Sequence, residues 1–192
     1  LDPAYSKSEG LQTIPFISVD NETAAYQSAQ YISDQITTPT EIIILEGRRT
    51  AQNAQDRKDG AVRAFSENEN ISIVAMETAN WKIDEGYEVT KALFAANPDI
   101  GAVFASNDMM ALGAIQYLKE VGKTDTVLVA AFDALEEAKE AIVAGGLAVT
   151  IDQLAAEQGY LGVQYAVRAL NGEELPAETY IDVLLVTKDQ LQ

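Results

Sequence analysis

The 192 residues carry 30 Asp plus Glu against 13 Lys plus Arg, a formal net charge of −17, with 47% hydrophobic residues and neither His nor Cys. So acidic a surface repels nucleic-acid phosphates and anionic membrane faces, while the apolar content is too high and too periodic for a disordered chain. The missing His and Cys exclude disulfides, thiolate nucleophiles, Cys-based metal sites and the commonest general base.

Residues 1–13 are polar and aperiodic, and Leu1-Asp2 reads like the end of a strand whose beginning is absent. From there short apolar runs alternate with stretches of helical period. Pro15–Val19 reads as a strand and Glu22–Ile36 as a helix; Glu41–Leu45 is followed by Ala51–Ser66, Ile71–Ala75 by Asp84–Ala96, and Ala102–Ala105 by Asp108–Val121. Thr126–Ala130 precedes a helical Ala134–Ala144, Leu147–Ile151 precedes Ala155–Leu170, and Tyr180–Val186 closes the pattern as one strand. Strict alternation predicts a doubly wound parallel α/β layer, because parallel neighbours need a crossover helix. No apolar run approaches a membrane span.

Ligands of open parallel sheets bind outside the carboxyl ends of the strands. The residues there are Glu46-Gly47-Arg48-Arg49, Asn80-Trp81, Ser106-Asn107-Asp108, Phe132-Asp133 and Asp152-Gln153. Planar polar groups offer paired donors and acceptors matched to neighbouring hydroxyls, and aromatic faces pack on the C–H faces of a sugar ring. A monosaccharide or polyol suits that combination. Each residue also has a plainer reading: Asn107 and Asp133 as helix N-caps, Trp81 as packing, Gly47 as a turn residue, Arg48 and Arg49 as solvated charges. Their joint position at strand ends carries the argument. Enzyme readings fare poorly. No Ser-His or Cys-His pair is possible, and no nucleophile elbow, phosphate-binding loop or dinucleotide fingerprint is present. A receiver domain would need a pair of acidic residues after its first strand and a phosphorylatable Asp after its third, where Glu46-Gly47 and Ser106-Asn107 stand.

The run Ala102-Val103-Phe104-Ala105-Ser106-Asn107-Asp108-Met109-Met110-Ala111-Leu112-Gly113-Ala114 resembles a signature segment of type I periplasmic binding proteins, with the ribose-binding branch nearest. Val19-Asp20-Asn21, Ile44-Leu45-Glu46-Gly47, Asp56-Arg57-Lys58-Asp59-Gly60, Asn97-Pro98-Asp99-Ile100, Ala131-Phe132-Asp133 and Ala148-Val149-Thr150-Ile151-Asp152-Gln153 resemble further family segments in the same order. The resemblance implies two α/β lobes closing on a sugar, with residues 21–153 and 182–192 as a complete C-terminal lobe and 1–20 and 154–181 as pieces of an N-terminal one. It implies ligand contacts from Asp2, Trp81, Asn107, Phe132, Asp133 and Gln153, with Gln55 standing where the family has an arginine.

Pro3 replaces a second family arginine, so the ribose-type guanidinium clamp is expected to be absent; Arg57 keeps the second arginine of its segment, and Arg48 or Arg49 could compensate. The function implied is a non-enzymatic solute-binding component of an ABC importer, without a cofactor, working with a membrane permease. It would be periplasmic or extracellular, lipid-anchored in a Gram-positive cell. The effector core of a LacI-type regulator and a periplasmic sensor domain share the fold. Relative to the family, the first part of the N-terminal lobe is expected to be missing from this chain.

Overall fold

The structure, a computed structural model, describes residues 15–191. These divide into two compact units: residues 21–152 with 185–191, and a smaller one from residues 15–20 and 153–184.

The larger unit begins with α1 (Asn21–Ser33) and continues through β2 (Thr40–Glu46), α2 (Gln52–Ser66), β3 (Ile71–Thr78), α3 (Ile83–Ala96), β4 (Ile100–Ala105) and α4 (Asp108–Glu120). Then come β5 (Leu128–Ala130), α5 (Glu136–Val143) and β6 (Val149–Asp152), and finally β8 (Leu184–Thr187). The sheet order is β3-β2-β4-β5-β6-β8, with β2 to β6 parallel. Counting from β2, the first five strands run 2-1-3-4-5, the flavodoxin-like order. The expected doubly wound layer is therefore what this unit shows. The winding reverses between β2 and β4, the point of the carboxyl edge at which open sheets of this order take their ligands.

Both faces of the sheet are covered, as the unbroken apolar runs predict. Ile42 to Leu45 have no exposed surface, and alternate residues point to opposite sides. Ile43, Leu45, Val103, Ala105 and Val129 pack with Met110, Ile115 and Leu118 of α4 and Ile142 of α5. On the other face the Phe65 ring of α2 meets Phe104 edge-on at 6.4 Å. Helices α3 and α4 touch backbone to backbone. A Cβ on Gly113 would lie 2.0 Å from the Ile83 carbonyl oxygen, and one on Gly86 would lie 2.5 Å from that of Met110. Gly113→Ala is expected to destabilise the fold by about 1–3 kcal/mol, because backbone cannot give way as a side-chain tip can. A urea midpoint equal to wild type would contradict this close-approach account.

The smaller unit contains β1 (Phe16–Val19), α6 (Ala155–Leu170) and β7 (Glu178–Ile181). β1 and β7 pair in parallel, with Phe16 opposite Glu178 and Val19 opposite Ile181. Helix α6 has no fully buried residue, and Tyr160, Val163, Val167 and Leu170 form an exposed apolar stripe.

The predicted strand Tyr180–Val186 is instead two strands. Its residues look continuous because both halves are apolar, but the pairing partner changes: β7 lies beside β1 and β8 beside β6. Helix α1 ends at Ser33 rather than Ile36, and α5 starts at Glu136 rather than Ala134. The second shift arises because Asp133 (φ 122°) and Ala134 (φ 56°) are left-handed and so cannot open a right-handed helix.

Candidate functional site

Four of the expected residues gather at the carboxyl edge of the larger unit, and one unexpected residue joins them. Asn107 follows β4. Its side-chain Oδ1 accepts the Met110 amide at 3.0 Å, so it is the N-cap of α4. The cap uses only the amide oxygen and holds the side chain in place at the strand end. Phe132 and Asp133 follow β5. The Asp108 amide donates to the Phe132 carbonyl at 2.8 Å, and the Asp133 amide donates to that of Ile151 at 2.8 Å. These bonds tie the loops after β4 and β5 to each other and to β6. Trp81 lies in the turn after β3.

The unexpected residue is Arg57, on α2. It is 4% exposed. Its Nε donates to Asn21 Oδ1 at 2.9 Å, and its Nη1 donates to the Ser106 carbonyl at 2.9 Å and to Asp133 Oδ1 at 3.2 Å. The guanidinium carbon stands 3.6 Å from the Phe132 ring centroid and 5.6 Å from that of Trp81. Arginine suits this place: its planar fork serves several acceptors at once while its faces meet aromatic rings. Burial pushes the Arg57 guanidinium down from its ordinary value, with Asp133 opposing. The Asp133 carboxyl is raised by burial, and Arg57 pulls it back.

Beneath this layer Asp108 is fully buried. Its Oδ1 accepts from Thr150 Oγ1 at 2.7 Å and its Oδ2 from the Leu135 amide at 2.8 Å. Burial pushes its carboxyl up to about 7, against these two hydrogen bonds. Asp108 thus caps the α5 end of the loop, a task that the sequence offered to Asp133. Helix α5 has Leu135 at its N-cap, with no side-chain cap bond.

Three expected residues remain. Asp2 lies outside the described residues. Gln55 turns to its own loop, where its Nε2 donates to the Arg49 carbonyl and its Oε1 accepts from Lys58. Gln153 belongs to the smaller unit, where its carbonyl accepts from Gln158 at 2.6 Å. Phe132 is fully buried with Arg57 on its face, so it backs the guanidinium rather than offering an open ring. Arg49 pairs with Glu46 and Glu77. The clamp expected to be absent concerns positions 3 and 55; Arg57, the arginine the chain keeps in that segment, brings a guanidinium to this edge from inside α2. The sign of it in the sequence was Arg57 itself, placed one turn into the helix after β2. Among the described residues there is no metal-binding cluster of His, Cys, Asp and Glu, and no helix long and apolar enough to cross a membrane.

The edge therefore presents a carboxylate, a carboxamide and an indole, fixed from behind by a buried cation. The family model described as "Periplasmic binding protein domain" matches residues 6–174. The D-ribose/D-allose-binding protein of Pseudomonas aeruginosa is 33% identical over 160 residues, which cover 83% of this chain and 50% of that protein. The ribose import binding protein of Escherichia coli is 34% identical over 188 residues, covering 98% of this chain and 62% of that one. The chain thus spans only part of the length of these relatives. Among solved structures, an ABC transporter periplasmic solute binding protein from Actinobacillus succinogenes with bound D-allose superimposes with a TM-score of 0.94 at 34% identity. It covers all of this chain, which spans 66% of it. A solute binding protein from Bacillus halodurans with bound myo-inositol gives 0.89 at 28% identity, over 98% of this chain and 70% of that one.

Proposed function

Because this chain belongs to the periplasmic binding protein family, we propose that it binds a monosaccharide or polyol as the solute-binding component of an ABC importer. The observation that carries this reading is the grouping of Asn107, Asp133 and Trp81 at one sheet edge around Arg57. Carboxylate and carboxamide each offer two neighbouring hydrogen-bonding positions, a match for vicinal hydroxyls. The indole offers an apolar face for ring C–H groups. The relatives named for ribose and allose, and the structures with allose and myo-inositol, support the class of ligand. A binding protein of this kind works outside the cytoplasm, delivers its ligand to a membrane permease, and catalyses nothing. Two lobes, of which the larger unit is one, and attachment to a lipid anchor in a Gram-positive cell belong to the same proposal.

The test is calorimetric titration of the full-length protein carrying this chain against D-ribose, D-allose, myo-inositol, amino acids and nucleosides. Binding of a sugar or polyol alone is expected. Binding of amino acids or nucleosides, with no sugar bound, would sink the reading. Within the site, Asp133→Asn is expected to weaken binding by about 10- to 100-fold, since hydrogen bonds to a charged acceptor are worth roughly 1.5–3 kcal/mol.

A further inference from the structure

Gly47 and Trp81 sit in adjacent loops at the carboxyl edge of the sheet, after β2 and β3. Trp81 is the only tryptophan in the chain. Its backbone is left-handed (φ 69°), as is that of Asn80 (φ 50°), a conformation that L residues seldom adopt in succession. The turn is tied to its neighbours at several points. Thr78 Oγ1 donates to the Gly47 carbonyl at 2.6 Å, and the Asn80 amide donates to Thr78 Oγ1 at 3.2 Å. Asn80 Nδ2 donates to Glu85 Oε2 at 2.6 Å, and the Ala79 amide donates to the Glu46 carbonyl at 3.0 Å.

This turn lays the indole directly on Gly47. A Cβ at position 47 would fall 2.1 Å from Cζ2, 2.2 Å from Cη2 and 2.4 Å from Cε2 of Trp81. Carbon atoms in contact stand about 3.5–4.0 Å apart, so any side chain there displaces the ring by more than an ångström. Gly47 itself is not among the positive-φ glycines of the described residues, which are Gly122, Gly145 and Gly172. Its backbone could therefore accept another residue, and the nearest obstacle to one is the indole.

We propose that Gly47 is a positioning residue for the ligand site: its bare Cα sets the depth at which the Trp81 indole rests, and through it the affinity for the ligand ring. This rests on the sugar-binding reading for the ligand, but not for the placement of the ring. Platforms displaced by an ångström lose much of their contact, so G47A is expected to weaken sugar binding about tenfold.

The experiment uses the full-length protein, with any tryptophan outside this chain replaced by phenylalanine, so that emission reports Trp81 alone. In sugar-free G47A, the emission maximum is expected to move to the red and acrylamide quenching to rise. Affinities for D-ribose, D-allose and myo-inositol are then measured in wild type, G47A, W81F and the double variant. Phenylalanine lacks the distal indole carbons that collide, so G47A is expected to change the affinity of W81F by no more than about twofold.

Unchanged emission and quenching in G47A would overturn the proposal. So would a G47A penalty as large in the W81F background as in the wild-type one, or a displaced emission maximum with unchanged affinity. A displaced maximum with no sugar bound by wild type supports the placement and defeats the sugar reading alone. Should G47A fail to fold, recovery of the fold in the double variant supports the collision, and failure of both overturns it.

Discussion

Arg57→Ala is expected to lower the stability of the larger unit by about 3–5 kcal/mol and to abolish ligand binding, the usual scale for removing one member of a buried ion pair. The guanidinium serves Asn21, the Ser106 carbonyl and Asp133 at once. Its loss takes a donor from a buried carbonyl and a counter-charge from a carboxylate, and both costs fall on the folded state alone. The Phe132 face is stripped of its cation as well. Arg57→Lys is expected to recover only part, since an ammonium cannot reproduce a planar fork lying on a ring. Urea unfolding followed by circular dichroism measures the loss. An Arg57→Ala protein within about 1 kcal/mol of wild type, below the cost of one unpaired buried group, would mean that the cluster does not hold the site together. Adding Asp133→Asn to Arg57→Ala is expected to restore some stability, because a neutral amide needs no counter-ion.

Acidification is expected to stabilise the larger unit through Asp108. Its carboxyl titrates near 7 in the folded chain and near 3.8 as a free side chain, with burial as the main cause. Between those values the folded state holds a proton that the unfolded state has released. The unfolded state thus binds fewer protons, and stability falls as pH rises through the window. The contribution is fully present below about pH 4 and fully lost above about pH 7. Its upper bound is on the order of 4 kcal/mol, since each tenfold change in proton affinity is worth about 1.4 kcal/mol. Asp133, also raised by burial, acts in the same direction. Urea midpoints from pH 5 to pH 8 for wild type and Asp108→Asn isolate Asp108, since Asp133 is present in both. The wild-type curve is expected to fall more steeply with pH; parallel curves would refute the assignment.

The layer and most of its elements were legible from residues near one another in sequence. Ile42 to Leu45 read as a strand buried on both faces, and Asn107 read as a cap, because a cap is decided within four residues. What escaped the sequence depends on distant partners. Arg57 would ordinarily be a surface residue, and only the meeting of the loops after β4 and β5 with α2 makes it a buried hub. Asp133 reads as a cap until its backbone is seen to be left-handed, which leaves Asp108 to bond Leu135 instead. The run from Tyr180 to Val186 has one composition but two pairing partners, and apolar pattern carries no record of which neighbour a strand will choose. Trp81 could be placed at a strand end, but the glycine beneath it could not, since the contact joins two loops.

The pairing of β1 with β7 bears on the order in which the chain acquires its structure. Phe16 and Glu178 are neighbours in the sheet but about 160 residues apart along the chain, and closing so long a loop from a disordered chain costs entropy before any contact repays it. The larger unit meets no such obstacle: each of β2 to β6 finds its neighbours across one or two helices. It packs α1 against β5 and β6 as it does so, and thereby shortens the effective distance between the two arms of the smaller unit. Refolding is therefore expected in two stages, the six-stranded layer first and the β1–β7 ribbon after it. During synthesis β1 could not meet β7 until Glu178–Ile181 had left the ribosome.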